Sequence, residues 1–156
     1  MPREWTVEWS LVPYDEPDLQ VLVEEVQKEY VRRYGGRDRT PVDPTQFAPP
    51  EGAFLLGRRD DRPVACGAFR KHDDGVAELK RMYVRVDSRR QGIARELLLE
   101  LETRARESSY VRAVLETGLA QPEALALYDS AGWMPIPAYG YYRDSPNNRC
   151  FGKDLV

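Results

Sequence analysis

One short turn, placed before a long amphipathic segment, combines arginines, a glycine and small side chains. It reads Arg89-Arg90-Gln91-Gly92-Ile93-Ala94, with Arg85 and Arg95 beside it. Gly92 would let the main chain approach a ligand closely, and the first N–H groups of a following helix point outward at the positive end of its dipole. A pyrophosphate group would fit there. A plain strand-to-helix turn with a solvated arginine face fits the spacing equally well.

Other phosphate and metal motifs are absent from the sequence. The turn lacks the Gly-Lys-Ser/Thr ending of a P-loop, and no Gly-x-Gly-x-x-Gly fingerprint occurs. Cys66 and Cys150 have no second Cys or His at metal spacing, so we expect reduced thiols and no metal site. The single histidine, His72, lies in a predicted hairpin turn. We expect it to be exposed, and a substrate contact from that turn stays open.

Hydrophobic periodicity places the arginine turn between a strand and a helix. The predicted strands are 5–12, 54–59, 64–71, 76–86, 112–116, 133–137 and 150–155. The predicted helices are 17–33, 89–108 and 122–130. The segment 35–52 is rich in Pro and Gly and has no clean period, which predicts a loop with room for one short helix.

This order of elements predicts an α/β (α+β) fold with a single mixed, largely antiparallel sheet flanked by helices. The strand–helix–strand piece 76–116 must be parallel if it follows the usual right-handed crossover. Ligands in such sheets commonly bind where strands diverge. The length of 156 residues predicts one domain over 1–156.

Composition narrows the class of protein. The chain is 42% hydrophobic and 31% charged, which is typical of a globular domain. Lys and Arg number 23 against 26 Asp and Glu, and the net charge of −3 disfavours wholesale nucleic-acid binding. No apolar run approaches the roughly 20 residues of a membrane helix, and the first residues lack an apolar signal core. We therefore expect a cytoplasmic protein that does not bind membranes.

Three motifs follow one another along the chain. They are Glu78-Leu79-Lys80-Arg81-Met82-Tyr83-Val84, the turn Arg89-x-x-Gly92-x-Ala94, and Ala124-Leu125-Ala126-Leu127-Tyr128-Asp129-Ser130-Ala131-Gly132-Trp133. Together they resemble the GNAT superfamily of acetyl-CoA-dependent N-acetyltransferases, especially its small bacterial members. The resemblance spans about 54–155, and the order of elements extends it to nearly the whole chain.

The resemblance implies the GNAT fold, in which two central strands splay apart, and an enzyme that uses acetyl-CoA as co-substrate without a metal. Direct transfer to a primary amine in a ternary complex is implied. The pyrophosphate of CoA would be wrapped by Arg89, Arg90, Gln91, Gly92, Ile93, Ala94 and Arg95. The pantetheine arm would bind the main chain of Met82, Tyr83 and Val84. The asparagine frequent after the fifth strand of the family is missing, and Thr117 or Gln121 could replace it.

Glu78 and Tyr128 are the predicted catalytic residues. A protonated amine has a pKa of about 10, so attack on a thioester needs a proton acceptor. The resemblance to histone-type members gives this role to Glu78, while an exposed carboxylate paired with Lys80 or Arg70 is the alternative. Tyr128 matches a tyrosine near the CoA sulfur that could protonate the leaving thiolate. A tyrosine at helical spacing could instead simply face the core.

The acceptor and the partners are not identified by the sequence. The segments 35–52 and 135–143 could wall an acceptor pocket, although the second could instead pack on the sheet edge. Small amines, amino acids, peptide N-termini, lysine side chains and aminoglycoside-like drugs stay open as acceptors. The alternatives in function are a catalytically silent acyl-CoA sensor and an acyltransferase with another acyl group or a hydroxyl acceptor. Relatives are often dimers, which leaves a homodimer open.

Overall fold

The fold is that of a computed structural model that describes residues 3–156. The strands are β1 (Glu8–Val12), β2 (Ala53–Arg59), β3 (Arg62–Asp73), β4 (Val76–Val84), β5 (Arg112–Gly118), β6 (Met134–Ile136) and β7 (Asn148–Asp154). The helices are α1 (Pro17–Tyr34), α2 (Ile93–Glu107) and α3 (Pro122–Ser130), with 3-10 turns at Pro44–Phe47 and Val86–Ser88.

The described strands form one sheet in the order β1-β2-β3-β4-β5-β7-β6. Neighbouring strands are antiparallel except β4 and β5, which are parallel because α2 carries the chain back between them. The predicted mixed, largely antiparallel sheet flanked by helices is therefore confirmed.

Each face of the sheet is covered by helices that present an apolar stripe. Helix α1 buries Leu19, Leu22 and Val26 against one face. Helices α2 and α3 cover the other face, where fully buried leucines such as Leu97 and Leu101 pack on the strands. Burial of one such leucine contributes about 1.5–3 kcal/mol, so these apolar stripes hold the three helices on the sheet.

The predicted boundaries differ from the observed ones mainly at turns. The prediction for α3 is correct to the residue, whereas α2 begins at Ile93 and not at Arg89. Gly92 causes the difference because its φ of 83° is left-handed, which ends the preceding turn just before the helix. The first predicted strand also begins later, at Glu8.

The two cysteines lie in strands β3 and β7, and the single histidine lies near the end of β3. Cys66 and Cys150 are free and buried, and burial raises the pKa of the Cys66 thiol to about 12. His72 is exposed, as expected, and its ring lies 4.8 Å from the Tyr139 ring. Within residues 3–156, no helix combines the length and the apolar character that crossing a bilayer requires.

Candidate active site

Strands β4 and β5 run side by side only at their beginnings. Their last paired residues are Glu78 and Val114. Beyond that pair, β4 continues to Val84 and β5 to Gly118 without being paired to each other. The two strands therefore leave a V-shaped opening in the middle of the sheet, with main-chain N–H and C=O groups along its edges.

A bulge in β4 bends the strand at this opening. Arg81 has a φ of 57°, which is unusual for a residue with a side chain. The register with β3 shifts between Cys66 and Ala68, so that Gly67 faces the bulge. A Cβ atom on Gly67 would lie 3.0 Å from Leu101 Cδ1, so glycine is what lets α2 pack closely behind the bulge. Strain of this kind is often concentrated at functional sites.

A cavity of about 390 Å³ occupies the opening, and we call it the splay cavity. It is lined by the end of α1, the loop that follows, the unpaired parts of β4 and β5, residues at the two ends of α3, and the segment 142–148. Its walls include Tyr34, Asp38, Arg81, Met82, Glu116 and Tyr128. The predicted loop 35–52, the strand of the first motif (78–84) and the helix that carries Tyr128 all contribute residues to this cavity.

Tyr128 is a core residue, as one of its two predicted alternatives has it, and it also lines the splay cavity. Its ring is buried in the core, with centroids 6.1 Å from Trp133 and 5.8 Å from Phe151. Its hydroxyl lines the splay cavity and donates to Met82 Sδ at 3.8 Å. A thioether is a weak acceptor, and burial raises the pKa of Tyr128 to about 12. The hydroxyl is therefore protonated at neutral pH and only weakly engaged.

A second cavity of about 500 Å³, the outer cavity, lies beside the splay cavity. It is lined by the loop after α1, the end of β3 and the segment 139–141. Its walls include Thr40, Arg70, His72, Glu78, Glu116 and Tyr139. Both segments predicted as pocket walls, 35–52 and 135–143, thus line cavities. Glu116 is a wall residue of both cavities.

Glu78 is buried, contrary to the expectation that an unreactive Glu78 would be exposed. Its side chain is 5% exposed, and Arg70 Nε donates to its Oε1 at 2.9 Å. The alternative of a pair with Arg70 is therefore present, but in a buried position. Arg70 Nη1 also donates to the carbonyl of Pro41 and to Gln46, so Nε and Nη1 of its guanidinium are both engaged.

Glu116 lies across the opening from Glu78, and its carboxylate is more weakly paired than that of Glu78. Its side chain is 8% exposed, its Oε1 is 3.7 Å from Lys80 Nζ, and its Oε2 has no hydrogen-bond partner among residues 3–156. Burial raises the pKa of the Glu116 carboxyl, the charge of Glu78 adds to the rise, and Lys80 opposes it. A buried carboxylate with a raised pKa and a free oxygen is typical of a proton acceptor.

The loop after α1 is fixed over the splay cavity by Asp38. Its Oδ2 lies 3.1 Å from Arg81 Nη1 and 3.7 Å from Lys80 Nζ. Although burial opposes the change, these two cations lower the pKa of the Asp38 carboxyl. The next residue, Arg39, donates its main-chain N–H to Tyr142 Oη at 2.6 Å, which joins this loop to the segment after β6.

The arginine turn forms an open helix start. No side chain caps α2, and the main-chain amides of its first turn have no acceptor within the helix. A Cβ atom on Gly92 would meet nothing within 4 Å, so the turn borders open space. These features fit a bound phosphate group, because an anion would supply the missing acceptors.

The arginines around this turn are less free than the sequence predicts. Arg85 pairs with Glu25 at 2.8 Å and Arg89 with Glu29 at 2.7 Å, both on α1. Arg90 is exposed and makes no hydrogen bond or ion pair within residues 3–156. The predicted cationic cluster is therefore partly neutralised, and the amides carry more of the attraction for an anion.

Comparison with known proteins assigns the chain to a family. The model of the acetyltransferase (GNAT) family matches residues 19–133, well over half of the sequence. The chain belongs to the GNAT acetyltransferase family. An IAA acetyltransferase of Azospirillum brasilense is 32% identical over 135 residues, which cover 86% of this chain and 88% of that relative. This GNAT acetyltransferase is accordingly an acyltransferase enzyme, as the sequence motifs predict.

Solved structures confirm the predicted GNAT fold. A Klebsiella pneumoniae protein assigned as an acyl-CoA N-acyltransferase superposes with a TM-score of 0.80 and 25% identity, covering 98% of this chain and 99% of that chain. A GNAT family acetyltransferase of Elizabethkingia anophelis, solved with acetyl-CoA bound, has a TM-score of 0.69 and 16% identity, covering 95% and 97%.

The residues predicted to bind pantetheine occupy different sides of β4 in this GNAT acetyltransferase. The side chain of Met82 lines the splay cavity. Tyr83 points to the α1 face, where its hydroxyl donates to Glu25 at 3.1 Å, and the Val84 carbonyl accepts from Arg89 Nε at 2.9 Å. Both Thr117 and Gln121, the two possible replacements for the missing asparagine, line the splay cavity.

Three site residues of this GNAT acetyltransferase are not singled out by the motifs: Asp38, Glu116 and Tyr139. For Glu116 a signal is present, because Glu116 lies two residues beyond the partner of Glu78 and strand alternation puts both on one face. Asp38 and Tyr139 lie in the segments 35–52 and 135–143 that the sequence predicts as pocket walls, but nothing local marks these two residues within them, since the course of both loops depends on contacts distant in sequence.

Proposed function

We propose that this acyltransferase moves the acetyl group of acetyl-CoA to a primary amine by direct attack in a ternary complex. The observation that carries the proposal is the position of Glu116 in the wall of both cavities, with one buried oxygen unpartnered among residues 3–156. An amine in the outer cavity would meet its proton acceptor at the border of the cavity that takes the thioester.

The chain offers suitable places for the pyrophosphate and the pantetheine arm of acetyl-CoA, which supplies the acetyl group in activated form as a thioester. The open start of α2 and the free space at Gly92 support pyrophosphate binding there. We assign this binding to Arg89, Arg90, Gln91, Gly92, Ile93, Ala94 and Arg95, and the pantetheine contacts to the main chain of Met82, Tyr83 and Val84. The unpaired edge of β4 supports the second assignment.

Glu116 is our first choice as the base, and Glu78 is the alternative. Glu116 has a raised pKa and a free oxygen, whereas Oε1 of Glu78 already accepts from Arg70. In the transfer step Glu116 takes one proton from the ammonium group. The nitrogen–carbon bond then forms as the carbon–sulfur bond breaks, and main-chain N–H groups of β4 stabilise the oxyanion.

Tyr128 is the proposed general acid. Its protonated hydroxyl lies in the splay cavity and is engaged only by the thioether of Met82. It donates its proton to the leaving sulfur, and the second proton lost by the nitrogen restores the hydroxyl. The products are an amide and a free thiol, with one proton released through Glu116.

We expect Tyr128→Phe to lower kcat about 100-fold, because the leaving thiolate loses its proton donor. The Kd of acetyl-CoA should change little, since the ring still packs against Trp133 and Phe151. Tyr14→Phe is a matched control, because Tyr14 packs on Phe47 and Phe54. Equal single-turnover rates for Tyr128→Phe and the parent would leave Tyr128 a core residue only.

The activity itself is tested by mixing the purified protein with acetyl-CoA and a panel of amines. We expect release of free thiol and formation of an acetylated amine with at least one member of the panel. Tight binding of acetyl-CoA without turnover across a broad panel would favour an acyl-CoA sensor. Thiol release with alcohols but not amines would favour a hydroxyl acceptor.

Two further proposals concern the whole chain. We propose that residues 1–156 form one domain, which is supported by the single sheet that runs through the described residues. We also propose that the protein acts in the cytoplasm, where acetyl-CoA would be available as co-substrate.

A further inference from the structure

The outer cavity contains an unusual set of unpartnered polar atoms. Three buried side-chain oxygens in its wall have no hydrogen-bond partner among residues 3–156: Thr40 Oγ1, Glu116 Oε2 and Tyr139 Oη. The Tyr139 hydroxyl lies beside the Glu78 carboxylate but outside hydrogen-bond geometry. Leaving buried polar atoms unpaired is costly, so these oxygens favour a ligand that hydrogen-bonds to them. The ionised Glu116 oxygen can only accept, whereas the two hydroxyls can accept or donate.

The buried position of Glu116 distinguishes the outer cavity from a surface cluster of acidic residues. Its side chain is more than nine-tenths buried, and the unpartnered oxygen belongs to a carboxylate. The segment 139–141 closes over it, since a Cβ atom on Gly140 would lie 3.4 Å from Glu116 Oε2. A primary ammonium group has three N–H donors and no acceptor, and each of the three oxygens in this wall can accept a hydrogen bond.

The two cavities also differ in the sign of their charge. The splay cavity is lined by four cations and two carboxylates: Arg37, Arg39, Lys80, Arg81, Asp38 and Glu116. The outer cavity is lined by two cations and three carboxylates: Arg70, Lys71, Asp43, Glu78 and Glu116. The outer cavity therefore favours a cationic ligand, and the splay cavity favours developing negative charge.

The carboxylates of the outer cavity disfavour an anionic group beside the ammonium. Of the Arg70 guanidinium, Nε and Nη1 are already used by Glu78, Pro41 and Gln46. Lys71 is half exposed and lies 3.4 Å from Asp74. A carboxylate next to the reacting nitrogen would instead face Glu78 and Glu116, which repel it.

Resting on the proposed transfer reaction, we propose that the acceptor is a cationic primary amine without a carboxylate beside its nitrogen. The outer cavity binds its ammonium group through Glu116, Tyr139 and Thr40. Tyr139 and Thr40 then determine specificity, and Glu116 both binds the ammonium and takes its proton. The cavity volume of about 500 Å³ is in the range of small-molecule sites.

Matched pairs of acceptors test this inference directly. Tyramine and tyrosine, agmatine and arginine, and histamine and histidine differ only by the carboxylate next to the amine. With saturating acetyl-CoA, we expect kcat/KM for thiol release to be at least tenfold higher for the member without the carboxylate. Equal values within each pair, or a preference for the amino acids, would overturn the inference.

Variants of the binding residues provide the second test. Tyr139→Phe should raise KM for the best amine about tenfold and change kcat less than threefold, with the Kd of acetyl-CoA unchanged. Thr40→Val should act in the same direction with a smaller effect. Tyr14→Phe is the control for loss of a hydroxyl outside the cavities. An unchanged KM in Tyr139→Phe would contradict the assignment, provided that its melting temperature matches the parent.

Calorimetry separates this inference from the proposed activity. Tyramine is titrated into the protein saturated with CoA, a complex in which no transfer can occur. Binding that is weakened by Tyr139→Phe, together with no thiol release from acetyl-CoA, would mean that the site is correct and the proposed transfer is wrong. Thiol release without discrimination between the paired acceptors would mean that the transfer is correct and the proposed acceptor class is wrong.

Discussion

We expect Glu116→Gln to transfer acetyl groups at least about 100-fold more slowly than the parent, because the ammonium group loses its proton acceptor. Glutamine keeps the shape of the side chain and still lines both cavities. The loss should therefore appear in kcat and in the KM of the amine that Glu116 binds, while the Kd of acetyl-CoA stays within about twofold of the parent. Single-turnover thiol release and calorimetry with acetyl-CoA measure these quantities.

Glu78→Gln is the matched comparison, because both residues are buried carboxylates on the same face of neighbouring strands. If Glu116 is the base, Glu78→Gln should slow transfer about tenfold or less. It should also lower the melting temperature, since it leaves the buried guanidinium of Arg70 without its counter-charge. A larger loss of kcat in Glu78→Gln than in Glu116→Gln would return the role of base to Glu78.

The Glu116→Gln substitution should also change the pH dependence of stability. Because burial raises the pKa of Glu116 above its usual 4.5, the folded protein holds this proton more tightly than the unfolded chain. The stability from Glu116 is therefore complete below about pH 4.5 and is lost as pH rises through the folded-state pKa. Relative to the parent, Glu116→Gln should gain in melting temperature from pH 4.5 to pH 7.5. A relative loss over that range would contradict the raised pKa.

We expect Gly92→Val to weaken acetyl-CoA binding about 100-fold, which is roughly 2.7 kcal/mol. The Cβ atom would enter open space next to the uncapped amides of α2, where we propose that the pyrophosphate binds. Valine is also strained at a φ of 83°, so the turn itself would shift. Calorimetric titration with CoA measures the effect without any acceptor.

Gly132→Val controls for strain alone. Gly132 has a φ of 86°, and a Cβ atom there would come no closer than 3.9 Å to Lys153 Cε. Both variants should therefore lose similar stability, but only Gly92→Val should lose affinity for CoA. Equal affinities in the two variants would show that the arginine turn does not contact the cofactor.

The fold was predictable because its signals are local and repeated. The apolar stripe of α2, with Leu97 and Leu101, and the alternation in the strands each identify an element without knowledge of the others. The crossover rule then gives the parallel pairing of β4 with β5. Errors arose where a single residue in a left-handed conformation moves a boundary, as at Gly92.

The site was predictable only in part. The arginine turn and Tyr128 stand in recognisable motifs, so the sequence places both near the opening. Pairings that neutralise Arg85 and Arg89 come from α1, about 60 residues earlier in the chain, and no spacing within the turn reveals them. Likewise, Tyr139 reaches the carboxylates only because its loop folds back over β5, which depends on tertiary contacts.

The hydrogen bond from the Arg39 main chain to Tyr142 Oη links two segments that lie 103 residues apart. Each segment lines a cavity, so a sequence change in one alters the support of the other. Engineering that aims at new acceptors should therefore exchange both segments together. A chimaera whose segment after β6 comes from a relative without a tyrosine at position 142 would lose this connection, whereas a double exchange would carry a co-adapted pair.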